Sequence, residues 1–205
     1  MTSKGTSPYS LHPSIAYRQS ILANLEANSG RSLEEWLSLV RKKGPKDEKT
    51  IREWLRRQGL GGTQTSMVAE RAMGKGEEDT PEGYLKAAVN HVEVMFSGKK
   101  AALRPLYDAL LKLGFSLGKD VKACPCKTIV PLYRNHVFAQ IKPSTNTRID
   151  FGLALKNTKA KGHLIDTGGH AKKDRITHRI EVKSLANIND ELKAWLKNAY
   201  EMDLK

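Results

Sequence analysis

Residues 136–155 read HVFAQIKPSTNTRIDFGLAL, and this stretch decides the fold. It holds two runs rich in β-branched and aromatic residues, His136 to Lys142 and Arg148 to Leu155, separated by the turn formers Pro143-Ser144-Thr145-Asn146. Apolar side chains recur with a period of two: Val137, Ala139 and Ile141, then Ile149, Phe151, Leu153 and Leu155. Two further runs share the composition, Thr128 to Arg134 before and Ile176 to Lys183 after, and Ile176, Ile180 and Val182 continue the phase. The pattern predicts an antiparallel sheet with one apolar face packed against helices. Its other face carries Phe138, Lys142, Arg148, Asp150, Arg179, Glu181 and Lys183.

Working outward, the helices that cover the sheet are legible on both sides. Helical patterns run over Tyr84 to Phe96 and Ala101 to Leu113, the second ended by Gly114. After the strands, Leu192, Trp195, Leu196, Ala199 and Tyr200 form one stripe of a last helix. Toward the N-terminus the chain becomes short helices punctuated by glycine. Tyr17, Ile21, Leu22 and Leu25 share a face that stops at Gly30. Ser32 and Glu35 form a capping box ahead of Leu33, Trp36, Leu37 and Val40, with a stop at Gly44-Pro45. Ile51, Trp54 and Leu55 mark a third helix up to Gly59, and Met67 to Met73 a short fourth. Residues 74–81, GKGEEDTP, contain nothing apolar and are expected to be a linker. The fold class is therefore α+β: a small helical bundle over residues 1–73, a linker over 74–81, and a helix, antiparallel meander, helix domain over 82–205.

Charge separates the two parts more sharply than composition does. The formal charge is +13. Residues 1–80 hold 13 Lys/Arg against 10 Asp/Glu, whereas residues 81–205 hold 22 against 12. A net +10 on one domain points to a polyanion, through displacement of the counterions condensed on phosphates. No run of eighteen apolar residues exists and MTSKGTSPYS lacks a secretory apolar core, so a soluble cytoplasmic protein with no membrane partner is expected. The only cysteines, Cys124 and Cys126, supply no bridge framework, in keeping with a reducing compartment. Walker, Gly-x-Ser-x-Gly and dinucleotide-binding patterns are all missing, which excludes the usual residues of nucleotide hydrolysis, serine hydrolysis and Rossmann-type redox chemistry.

Several motifs carry a family resemblance. In the first half these are Pro13-Ser14-Ile15-Ala16-Tyr17, the stretch Gly30 to Trp36, Trp54-Leu55 and Gly59-Leu60-Gly61; in the second, Phe138 to Pro143, Ile149 to Leu153, Thr177-His178, and Ile188 to Leu192 running into Trp195 to Tyr200. The chain resembles an N-terminal domain of unknown function 4287 joined to a C-terminal domain of unknown function 5655, two uncharacterised bacterial families. The resemblance implies no particular reaction. At fold level the helix, meander, helix order is similar to frataxin-like domains, some of which are described as DNA-binding.

Two kinds of chemistry suit the predicted open sheet face. Cations with one aromatic ring make a platform on which bases stack while phosphates are held, so Arg134, Phe138, Lys142, Arg148, Arg179 and Lys183 are the candidate nucleic-acid contacts. Asp150 with Glu181-Val182-Lys183 resembles the Asp and Glu-x-Lys pattern of metal-dependent nucleases, in which two carboxylates hold magnesium against a phosphate and a lysine stabilises the developing charge. The same acids also fit plain cross-strand pairing with Arg148 or Arg179. Cys124 and Cys126 could be completed by His163 and His170 as zinc ligands, but a single residue between the cysteines is poor spacing, and no metal or cofactor is expected. His178 reads as a hydrogen-bonded core histidine, Trp36, Trp54 and Trp195 as core anchors, and Leu60-Gly61-Gly62-Thr63 as a helix cap. Non-enzymatic nucleic-acid binding is thus the leading expectation, a magnesium-dependent nuclease its alternative, and a protein-interaction adaptor working through the helical module a third.

Overall fold

The computed structural model describes residues 7–204. It divides into two compact units, one of residues 11–87 and one that joins the described residues before Leu11 to those from Ala88 onward.

The first unit is helical: α1 Pro13–Ala23, α2 Leu25–Ser29, α3 Leu33–Lys43, α4 Glu48–Arg57 and α5 Gly62–Ala72. Each start and stop has a local cause. Ser32 and Glu35 close the capping box, with Ser32 N donating to Glu35 Oε2 at 2.8 Å, and Asp47 caps α4 by accepting from Thr50 N at 3.0 Å. Gly30 ends α2 in the left-handed conformation. The core gathers Leu25, Trp36, Val40, Ile51, Leu55, Leu60, Val68 and Ala69, while Tyr17, expected on the apolar face, is exposed. The segment expected as a linker is structured and belongs to this unit. Residues Glu77–Asp79 make a 3-10 turn, and the buried Asp79 receives Arg18 and Arg71, the latter at 3.2 Å. Composition could not show this, because the anchor is a carboxylate held by guanidinium groups and not an apolar side chain.

The second unit contains the sheet. Helix α6 Pro81–Met95 enters it, a 3-10 segment Gly98–Leu103 leads to α7 Arg104–Phe115, and α8 Asp190–Met202 follows the strands. The strands are β1 Lys122–Ala123, β2 Val130–Tyr133, β3 Val137–Pro143, β4 Ile149–Leu153, β5 Ile165–Asp166 and β6 His178–Val182. They form one antiparallel sheet in the order β1-β2-β3-β4-β6-β5. Ala139, Ile141, Ile149, Phe151, Leu153, Ile180 and Val182 all enter one core with Tyr107, Leu110, Leu192 and Leu196 of the helices, as the alternation predicts. Helix α8 packs on β3 and β4. Helix α7 approaches β2 so closely that a Cβ at Gly114 would lie 2.6 Å from Leu132 Cδ1. That position needs glycine for packing, and α7 runs on past it instead of stopping there. The N-terminal segment joins this unit through Ser10 N to Ala123 O at 2.9 Å and Tyr9 to Tyr107, hydroxyl to hydroxyl, at 2.9 Å. Among the described residues no helix is long and apolar enough to cross a membrane.

Two face assignments are corrected. Leu132 pairs with Ala139 and Tyr133 with Val137, so Phe138 is the extra residue of a β-bulge. The bulge turns Phe138 out of the strict alternation and into the core, fully buried, with its ring edge-on to Tyr200 at 5.5 Å. Ile176 precedes β6 and lies over Gly152, 2.7 Å from where a Cβ there would sit, so it covers part of the open face instead of facing the helices. His178 sits as expected in the inward phase. Its Nε2 donates to Thr158 O at 2.8 Å and its Nδ1 faces Thr177 Oγ1 at 2.8 Å.

Phe138→Ala should therefore act on stability, lowering it by about 3–5 kcal/mol in urea unfolding. Phe138→Leu should cost clearly less.

Candidate functional site

The open face of the sheet is built by register. Lys142 pairs with Asp150 and Asp150 with Glu181, which brings two carboxylates side by side on β4 and β6. Two residues away on the same faces stand Arg148, Arg179 and Lys183, so the strand period alone surrounds the acids with cations. Arg179 Nη1 lies 2.9 Å from both Asp150 Oδ1 and Glu181 Oε1. Arg148 Nη1 reaches Glu181 Oε1 at 3.0 Å, and its Nε lies 2.8 Å from Asp150 Oδ1 as an ion pair without hydrogen-bond alignment. Lys183 Nζ meets Glu181 Oε2 at 3.0 Å, and Ser144 Oγ donates to Asp150 Oδ2 at 2.7 Å. The bonds from Lys183 and Arg179 hold the Glu181 carboxyl below the usual glutamate range.

This geometry spends the arginines on neighbouring acids. Of the six residues expected to contact nucleic acid, Phe138 is in the core and Arg148 and Arg179 are neutralised in the network. Arg134 is also engaged: it pairs with Asp120 at 2.7 Å, stacks on Tyr200 with Cζ 3.8 Å from the ring centroid, and donates to Tyr200 O at 3.2 Å. Lys183, though exposed, is paired with Glu181, and Lys142 is exposed. For metal-assisted chemistry the two carboxylates do converge, yet the atom between them is Arg179 Nη1. A divalent ion placed there would have to displace a guanidinium bound by both acids and would then face Arg148, Arg179 and Lys183. That is a poor donor set for a hard cation.

The other candidates also resolve into contacts. Cys124 and Cys126 are unbridged. Burial pushes the Cys124 thiol up to about 12 and raises that of Cys126, the reverse of a reactive thiolate. His163 Nδ1 lies 2.6 Å from Glu191 Oε2, and among the described residues no three His, Cys, Asp or Glu side chains gather as a metal site.

Sequence reasoning passes over the connection from β4 to β6. Residues 156–175, KNTKAKGHLIDTGGHAKKDR, hold six Lys/Arg and two Asp without helical or strand periodicity, so a search for stripes does not register them. Lys156, Lys159, Lys161, Lys172 and Lys173 are exposed. The two aspartates are turned to the backbone, Asp166 accepting from Gly168 N at 2.7 Å and Asp174 from Ile176 N at 3.2 Å. The end of the connection is clamped by Asp203, whose buried carboxylate receives Arg175 together with the amides of Asn135 and His136, each at 2.8 Å. Arg175 Nε also donates to Val137 O at 3.0 Å.

An antiparallel sheet with helices over its apolar face and an ion-paired ladder on the other defines the class as a small α+β domain with a charged open face. Residues 92–203 match the family model described as Domain of unknown function (DUF5655), and the chain belongs to that family. No curated protein and no solved structure matches the chain.

The ion network has a pH signature. Because the folded state depresses the Glu181 carboxyl, its contribution to stability is present above the ordinary glutamate value of about 4.3 and is lost as pH falls through the lower folded value. Glu181→Gln should reduce urea stability at pH 7 and lose less than the native chain between pH 7 and pH 3. Equal acid sensitivity of the two proteins would remove Glu181 from the network's energetics.

Proposed function

We propose that this chain is a non-enzymatic nucleic-acid-binding protein whose second unit holds phosphates on the exposed lysines of the β4–β6 connection, together with Lys142. The observation that carries this reading is the contrast between two sets of cations in one domain. Arginines on the sheet face stand within 3.0 Å of carboxylates, whereas Lys156, Lys159, Lys172 and Lys173 are exposed and have no carboxylate partner among the described residues. Unneutralised ammonium groups on long stems retain the counterion-release effect that drives association with phosphates. The ladder beneath them is a rigid support, with its own net charge reduced to a single unit.

The helical unit enters this reading as an orienting or partner-recruiting module. Its resemblance to domain of unknown function 4287 rests on Pro13 to Tyr17, Gly30 to Trp36, Trp54-Leu55 and Gly59-Leu60-Gly61, of which Gly30 to Trp36 holds the capping box and Gly59 to Gly61 a helix junction. The setting proposed is the bacterial cytoplasm, where unbridged cysteines persist.

The test is salt-dependent retention of labelled oligonucleotides by the full chain. Replacing Lys156, Lys159, Lys172 and Lys173 together by Ala should weaken binding and lower the slope of log affinity against log salt, for each phosphate left unneutralised, by about 0.9 on a duplex and about 0.7 on a single strand. Arg148→Ala and Arg179→Ala should change the slope little, and Asp150→Asn should hold or raise affinity by releasing cations. Undiminished binding by the fourfold variant, or no binding at low salt, would reject the proposal.

A further inference from the structure

The second unit has a cleft of ≈ 460 Å³ formed by the turn at Lys161-Gly162 and the outward side of α8 at Glu191, Ala194, Trp195 and Asn198. Its wall is fastened by a clasp between that turn and α8. Glu191 accepts from His163 N at 2.9 Å and meets His163 Nδ1 at 2.6 Å. Gly162 lies against that carboxylate in a left-handed conformation, φ 59°, where any side chain would run into Glu191. Leu164, buried in the core, pins the far side of the turn. Beside the clasp, the exposed Lys161 lies above the indole of Trp195, with Nζ 5.6 Å from the ring centroid.

Trp195, which the sequence presents only as a core anchor, has a second exposure. It packs against the core and yet is half-buried, so part of the ring lines the cleft. One turn along the helix Asn198 lines the same cleft, and its amide has no hydrogen-bond partner among the described residues. An accessible indole, a free amide beside it and a mobile ammonium at the mouth match the three parts of a nucleotide: a base to stack, polar edges to bond, and a phosphate to pair. We infer that this cleft takes an unpaired base of a single-stranded nucleic acid, stacked on Trp195, with Lys161 moving from the ring to the adjoining phosphate. A base within a duplex is stacked on both sides and cannot enter. The inference rests on the nucleic-acid reading above and deepens it to single strands.

The full chain should be titrated with a labelled oligodeoxythymidylate and with a duplex of equal length at low salt. Trp195→Ala should weaken single-strand binding roughly 5- to 100-fold, the loss of one stacked base, and leave duplex binding unchanged. Because Trp195 also touches the core, Trp195→Phe is the folded control: it should retain most of the single-strand affinity while abolishing the fluorescence quenching that the oligonucleotide produces in the native chain. Loss of affinity for both polymers alike, or for neither, would overturn the base cleft while leaving the basic surface standing. No binding of either polymer by the native chain would overturn both.

Discussion

Two carboxylates placed opposite each other on neighbouring strands repel, and the sheet of the second unit depends on how that repulsion is met. Asp150 and Glu181 are brought into register by the same pairing that aligns Phe151 with Ile180 beneath them. A slip of one residue that separated the acids would also turn the apolar set out of the core. The structure keeps the register and inserts Arg179 between the acids, with Arg148 and Lys183 outside. Apolar packing on one face and ion pairing on the other thus select one strand alignment, and a half-exposed network of this kind contributes more to specificity of pairing than to net stability.

That constraint also decides where unneutralised charge lies. A guanidinium that already bridges two acids offers little to a phosphate unless the network is dismantled. The connection between β4 and β6 is under no such restriction. Its aspartates bond the backbone, its end is tied down by Asp203, and its lysines face solvent. Anchored ends with unpaired cations between them let a loop adjust to an irregular polyanion while keeping its place on the domain. The Gly162–His163 clasp to Glu191 fixes the middle of the same connection. One wall of the cleft at Trp195 is therefore part of the basic segment, and the other is α8.

The α+β class, the four main strands and the inward face were legible because two-residue alternation is dictated by strand geometry and holds wherever no bulge intervenes. The capping box at Ser32 was legible for the same local reason. What escaped was set by long-range partners. Phe138 changed sides because β2 and β3 differ by one residue across their pairing. Residues 74–81 joined the helical unit because Arg18, far away in sequence, reaches Asp79. The carboxylate pair at Asp150 and Glu181 is visible in the sequence, but its neutralisation appears only when all five charges are placed together. The lysines of the connection escape for lack of periodicity, and the exposed part of Trp195 because an apolar stripe does not reveal which part of a ring remains uncovered.

The central claim is that phosphates are held by the connection and not by the arginines of the sheet face. Lysine footprinting addresses it most directly: the full chain is reductively methylated with and without an oligonucleotide, and modification is read residue by residue by mass spectrometry. The account predicts protection of Lys156, Lys159, Lys161, Lys172 and Lys173, with Lys119 and Lys127 modified equally in both states. Protection confined to the helical unit, at Lys42, Lys43 and Lys46, or no change at Lys156 to Lys173 on binding, would contradict it.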